Sequence, residues 1–292
     1  MSVVERLDED PVRAGAGSIA RVPVRTRRRG PGGWALLAMA GFAGLFLALP
    51  VVVLVGRAVL DGSLGRALAS PVVAEGLRLS LVTTAISLVI AVALGLPLAV
   101  VLARQRFRGQ GLVEAIVDLP IVLPPSVAGL ALLLILGRRG FLGEPLTALG
   151  IEIPFTTVAV IIAQVFVSAP FFVRSARAGL VGVDHDLEDA ARVDGASEPQ
   201  VFRQITVPLA SRALAAGIVM SWARSLGEFG ATIMFAGSLE GRTQTLPLVV
   251  YGQFEGGDLD LSIAAAAILV LAAAGVLVAV RVLHWGRALD SL

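Results

Sequence analysis

The sequence predicts an all-α integral membrane protein with six spanning helices, and three observations carry the prediction. Of the 292 residues, 56% are apolar with the 32 Gly left out, only 16% are charged, and the mean hydropathy is +0.85. Soluble domains average about 45–50% apolar with glycine counted and about 25% charged. Next, five stretches carry no charge: Trp34–Gly56, Leu79–Ala103, Leu119–Gly137, Ile153–Val173 and Leu261–Val280. A sixth, Ala213–Ala236, carries only Arg224 and Glu228. A bilayer core about 30 Å thick takes about 20 helical residues. Finally, the intervening segments are rich in Gly, Pro and Arg, as loops are.

Residues 1–33 are polar, contain the run Arg27-Arg28-Arg29, and read as a flexible basic cytoplasmic tail able to touch anionic headgroups. A cleaved signal peptide is the competing reading. It fits poorly, because the apolar stretch that follows is too long and lacks a small-residue cleavage site. The spans are expected at about 35–58, 79–103, 117–137, 153–176, 210–236 and 261–281. They form a transmembrane domain over 34–284 that includes a cytoplasmic loop at 184–208, followed by a C-terminal tail at 285–292. With both termini inside, seventeen arginines lie on the cytoplasmic side. Six lie outside: Arg57, Arg66, Arg78, Arg138, Arg139 and Arg242. Positive residues favour the inside, so this orientation is the expected one, although Arg138 and Arg139 run against the rule.

Several function classes drop out. The chain has no Cys, which removes thiolate metal sites and cysteine nucleophiles. All 24 basic residues are Arg, so there is no Schiff-base lysine and no phosphate-binding loop of the kind that needs one. The pI of 10.2 rests on a net charge of only +2, which gives no reason to expect nucleic acid as a partner. His185 and His284 are both expected at cytoplasmic edges and make neither a metal site nor a catalytic triad. No catalytic residue, metal or cofactor is therefore expected on this chain.

The loop after the fourth span carries the most information. Asp184 or Asp186 can cap a short helix whose first turn is acidic, which suits the positive end of the helix dipole. Gly195 ends that helix at the position favouring left-handed backbone. Ser197 and Gln200 form a capping box for a second short helix, Pro199 is tolerated in its first turn, and Pro208 precedes the next span. The bland reading is an ordinary amphipathic surface helix.

The segment Asp189-Ala190-Ala191, then Gly195, Ile205 and Pro208, resembles the cytoplasmic loop of ABC importer permease subunits. That family carries Glu-Ala-Ala, three residues, Gly, nine residues, Ile, one residue and Leu-Pro. Every spacing is kept, with Asp189 in place of Glu and Val207 in place of Leu. The resemblance implies a type I importer permease fold in which this helix sits in a cleft of an ATPase subunit and transmits its motion. Asp184, Glu188, Asp189, Ala190, Ala191, Gly195, Ile205 and Pro208 are the coupling candidates. Small side chains permit close approach, and Glu188, Asp189 and Arg192 can pair across the interface.

Three further segments are similar to the molybdate branch of oxyanion permeases: Asp118-Leu-Pro-Ile-Val-Leu-Pro-Pro125, Leu136-Gly-Arg-Arg-Gly-Phe-Leu-Gly143, and Ala223 to Ile233 followed by Gly241 to Pro247. Pro120, Pro124 and Pro125 either line a pathway with freed carbonyls or simply start a helix. Arg224 and Glu228, four apart on an expected helix, neutralise each other and share the pathway candidacy with Ser126 and Thr232. Arg242, Thr243 and Gln244 on an outer loop are candidates for meeting a binding protein.

The resemblance thus implies a permease subunit in a bacterial inner membrane, importing molybdate or the related tungstate or sulfate. Its partners would be a second copy of itself, two ATPase subunits holding ATP and Mg, membrane lipid, and an external oxyanion-binding protein. The alternative from another class is an ion-coupled secondary transporter. That class needs midplane ionisable groups, which here reduce to Arg224 and Glu228, and no inverted repeat is visible. A membrane enzyme would need a site that the two histidines do not supply.

Overall fold

The computed structural model describes the backbone of residues 31–289 and the side chains of 34–278. The expected tail at 1–33 lies almost entirely outside the described residues, as do Arg27, Arg28, Arg29 and the side chains of Arg281, His284 and Arg287. The described chain falls into two compact units that part at Pro50, inside α1 (Pro31–Leu60). In the first unit, every side chain from Trp34 to Leu49 is exposed. Lipid tails are as apolar as Leu, so a membrane-facing helix has no need to bury such residues.

In the second unit, α2 (Ser63–Ala69) leads into α3 (Pro71–Arg104). Pro71 opens α3, where its missing N–H costs nothing. At 34 residues α3 is longer than the uncharged window from Leu79, because the windows omit the polar turns at helix ends. Its buried stripe runs Ser80, Thr83, Thr84, Ser87, Ala91, Gly95, Ala99 and Leu102, the spacing of one helix face.

The third apolar stretch does not form the expected single crossing at 117–137. It consists of α4 (Gln110–Val122) and α5 (Pro125–Leu136), bent by 116°. Leu123 and Pro124 are extended, because a residue before proline is driven out of the helical region. Two consecutive prolines impose that twice. The helix breaks at Pro124, and Pro125 starts the next one. Pro120 lies buried inside α4.

After α6 (Gly143–Ala148), α7 (Thr157–Val181) begins at Thr156, whose Oγ1 accepts from the Ala159 N–H at 3.3 Å. Then come α8 (His185–Val193), α9 (Glu198–Val201) and α10 (Val207–Leu226), with a single π turn over Phe202–Thr206. The fifth span was expected to begin at 210. Instead α9, the π turn and α10 join into one run, Glu198–Leu226. Pro208 therefore sits in the first turn of α10 and does not precede it. Its lost N–H is accommodated beside the π turn, where Val207 donates to Phe202, five residues back. The run ends at Leu226, and α11 (Gly230–Phe235) follows a break. Glu228 lies in that break, so Arg224 and Glu228 do not share a helix as the sequence suggested. The chain ends with α12 (Leu246–Glu255) and α13 (Leu259–Leu289), helical past the expected end at 281.

Three buried clusters hold the second unit. Ala128, Leu132, Ala163, Val167 and Phe235 join α5, α7 and α11. Ala99, Leu102, Phe172, Ala176 and Ala210 join α3, α7 and α10. Ala67, Val73, Leu246, Val249 and Ala264 join α2, α3, α12 and α13. Alanine recurs because helices in lipid gain from close backbone approach and not from expelling water. Hydrogen bonds cross the same contacts: Ser87 Oγ donates to Gln164 Oε1 at 2.9 Å, and Ser175 Oγ donates to the Ala213 carbonyl at 2.7 Å.

The α5–α11 contact depends on Gly129. A Cβ there would lie 2.6 Å from the Ala231 carbonyl oxygen and 2.8 Å from the Ala231 Cα. Gly129→Ala should destabilise the fold by about 1–3 kcal/mol, read as a lower unfolding midpoint in detergent. Gly111→Ala on α4, where a Cβ meets nothing within 4 Å, should not lower the midpoint.

Candidate functional site

The loop between α7 and α10 folds as its end signals dictate. Asp184 caps α8, its Oδ1 accepting from the Asp186 N–H at 3.0 Å, while Asp186 lies in the first turn. At the other end Gly195 has φ +90, its N–H donates to Arg192 and the Ala196 N–H donates to Ala191. Those two bonds are the 5→2 and 6→1 pair that closes a helix through a left-handed residue. The capping box of α9 is formed, with the Ser197 N–H donating to Gln200 Oε1 at 2.8 Å.

Arg192 bridges the two short helices. It donates to Asp189 Oδ1 at 2.6 Å and to Glu198 Oε1 and Oε2 at 2.7 and 3.2 Å. This tie joins the end of α8 to the start of α9. Being exposed, it fixes geometry more than it adds stability.

The outward side of α8 is mixed, with Leu187, Ala190 and Val193 exposed beside Asp186 and Asp189. Leu187 and Val193 are 51% and 87% exposed, with Ala190 and Asp189 also exposed. Gly195 and Pro208 are exposed, Ala191 and Ile205 half-buried. Asp189 and Arg192, expected to pair across an interface, already pair with each other. Glu188 departs further from expectation. It is 4% exposed and turns inward, so its carboxylate is not offered to a partner. Arg104 Nη2 donates to Glu188 Oε1 at 2.6 Å, and Thr206 Oγ1 donates to the same oxygen at 2.5 Å.

The second group of candidates gathers where two spans break. A Cβ on Gly230 would lie 2.8 Å from the Pro125 Cβ and 3.1 Å from the Ser126 N, so the starts of α5 and α11 touch. Glu228, whose side chain is wholly enclosed, accepts from the Ala231 N–H at 2.7 Å and thereby caps α11. Its other oxygen lies 2.5 Å from Arg224 Nη1, and the Arg224 side chain is 26% exposed. Thr232 is buried, its hydroxyl without a partner among the described residues, while Ser126 is exposed. Pro124, Pro125, Ser126, Glu228 and Thr232 thus come from two sequence-distant breaks, and Pro120 lies earlier on α4.

The third group divides. Thr243 is fully buried and accepts from the Leu239 N–H at 2.8 Å, so it shapes the turn and is not available for docking. Arg242 is exposed, and Gln244 lines a cavity of about 270 Å³ with Glu75, Gly76 and Arg78. Sequence reasoning missed Arg104, Thr206 and the π turn. Arg104 counted only as one inside arginine, and nothing in the residues of a π turn announces it.

Comparison with known proteins gives concordant results. The profile of the binding-protein-dependent transport system inner membrane component matches residues 91–286. The molybdenum transport system permease protein ModB of Mycobacterium tuberculosis is 43% identical over 249 residues, 85% of this chain and 92% of that one. The molybdate/tungstate transport system permease protein WtpB of Pyrococcus abyssi is 38% identical over 200 residues, 68% of this chain and 75% of that one. Among solved structures, a bacterial ABC transporter involved in import of the acidic polysaccharide alginate superposes with a TM-score of 0.69 at 18% identity, covering 88% of this chain and 96% of that chain. The bacterial alginate ABC transporter in complex with an alginate pentasaccharide-bound periplasmic protein gives 0.65 at 18%, covering 85% and 92%. At that identity the likeness is one of fold.

Proposed function

Because the chain belongs to the family of binding-protein-dependent transport system inner membrane components, we propose that it is the membrane-spanning subunit of an ATP-driven importer of molybdate or tungstate. The observation that carries the reading is α8: a short helix between the fourth and fifth spans, capped by Asp184 and closed at Gly195, that leaves Leu187 and Val193 exposed. Leu187, Ala190 and Val193 are exposed beside Asp186 and Asp189, and this mixed surface suits the cleft of a separate ATPase.

Two copies of the chain form the two-fold pathway, with both termini in the cytoplasm. One ATPase binds each α8, and an external binding protein docks opposite. ATP closes the ATPases, draws the two α8 helices together and turns the pathway outward, and hydrolysis resets it. This chain carries out no bond chemistry, while ATP and Mg belong to the ATPases. Asp189, Ala190, Ala191, Gly195 and Asp184 act at or beside the ATPase contact, with Ile205 and Pro208 seating the loop on α10. Arg242 and Gln244 remain the contacts for the binding protein.

The pathway is suited to passage and not to tight capture. A hydrated dianion is prohibitively costly to bury in an apolar interior, and Arg224 is already answered by Glu228. Selection therefore falls to the binding protein. Relatives named for molybdate and tungstate favour those ions over sulfate. Proteoliposomes holding the assembled transporter should accumulate labelled molybdate only with binding protein outside and ATP inside. Uptake should persist with the membrane potential clamped at zero. Uptake driven by an ion gradient without ATP would contradict the reading and favour a secondary transporter.

A further inference from the structure

Among the acidic residues of the 184–208 loop, Glu188 alone is buried. It stands on α8, yet its bonds lead to two other elements. Arg104, the last residue of α3, reaches Oε1 at 2.6 Å with its side chain 18% exposed. Thr206, the last residue of the π turn, reaches the same oxygen at 2.5 Å and is itself 4% exposed. His185 closes the outer side, its Nδ1 2.9 Å from Arg104 Nη1 and 3.4 Å from Glu188 Oε2. One carboxylate thus joins the start of α8, the end of the second span and the head of the fifth. A charge-assisted hydrogen bond is roughly twice as strong as a neutral one, and its removal leaves a buried charge without a partner. The π turn adds a second observation. Such turns occur singly, often at functional positions, and this one ends on the residue that bonds Glu188.

We propose that Glu188 is a positioning residue that fastens α8 to α3 and α10, so that a displacement of α8 carries the second and fifth spans together. The proposal rests on the reading that an ATPase works α8. On this account Glu188 never touches the ATPase. Its loss leaves hydrolysis running while the motion no longer reaches the pathway.

The test uses the whole transporter in proteoliposomes with its ATPase and binding protein. Glu188→Gln and Thr206→Val should keep the ATPase bound and hydrolysing, while molybdate taken up per ATP falls about tenfold, within the usual range of coupling between sites. Because the chain has no Cys, the double variant Arg104→Cys/Glu188→Cys carries its only two thiols at this joint. Unlinked, it should be poorly coupled. Joined by a short thiol-to-thiol reagent, it should recover uptake per ATP, because α3 and α8 are again one body. The Cys pair also decides the matter if Glu188→Gln fails to fold and insert. Wild-type uptake per ATP in Glu188→Gln, loss of the ATPase from that variant, or arrest of uptake on cross-linking each overturns the proposal. Failure of the wild-type chain to hold any ATPase overturns instead the reading of α8, and with it the proposal.

Discussion

Replacing Gly195 with valine is expected to lower ATP-driven uptake by at least about tenfold while membrane insertion stays normal. The cause is the backbone. Gly195 holds φ +90 as the residue that closes α8, and a Cβ there meets no atom within 4 Å. Within this chain, bulk alone would be harmless. A left-handed conformation, however, costs an L residue about 1–2 kcal/mol, and more for a β-branched one. Valine therefore shifts Gly195 toward ordinary backbone, breaks the bonds from its N–H and from Ala196, and reorients Arg192 and the face carrying Leu187 and Val193. Asparagine tolerates the left-handed region, so Gly195→Asn should retain most uptake and Gly195→Ala should fall between. An order set by side-chain size, with Asn worse than Ala, would show that crowding and not conformation matters there.

Arg224→Ala should be the most destabilising single change among the pathway candidates. It leaves the wholly enclosed Glu228 without its counter-charge, and breaking a buried ion pair by removing one partner costs about 3–5 kcal/mol. Glu228→Gln is milder: the amide oxygen can still accept from the Ala231 N–H, and the unpaired Arg224 retains a quarter of its exposure. Arg224→Leu combined with Glu228→Gln should recover much of the stability lost in Arg224→Ala. The check is thermal unfolding of the detergent-solubilised transporter. Equal losses from the two single changes would mean that the pair is not held together as the structure has it.

The spans were legible because an uncharged window of about 20 residues has few alternatives in a chain this apolar. The loop was legible because caps are local: Asp184, Gly195, Ser197 and Gln200 act on backbone within a few residues of themselves. Direction was not legible. The apolar window at 119–137 is continuous in composition, and only Pro124 and Pro125 hint that the chain turns by 116°. Orientation around α8 was hidden for a related reason. Glu188 and Asp189 are adjacent carboxylates with the same chemistry, and which one turns inward depends on Arg104, 84 positions earlier. Thr243 looked available because it follows Arg242 in an expected outer loop, but the turn uses its hydroxyl internally.

The central claim is that α8 is a lever worked by a separate ATP-hydrolysing protein. The direct measurement is to isolate the tagged chain from native membranes, identify what accompanies it, and reconstitute it with and without that companion. An ATPase should co-purify in a fixed ratio, and molybdate should accumulate only when the ATPase and ATP are both present. Accumulation by the purified chain alone would contradict the claim.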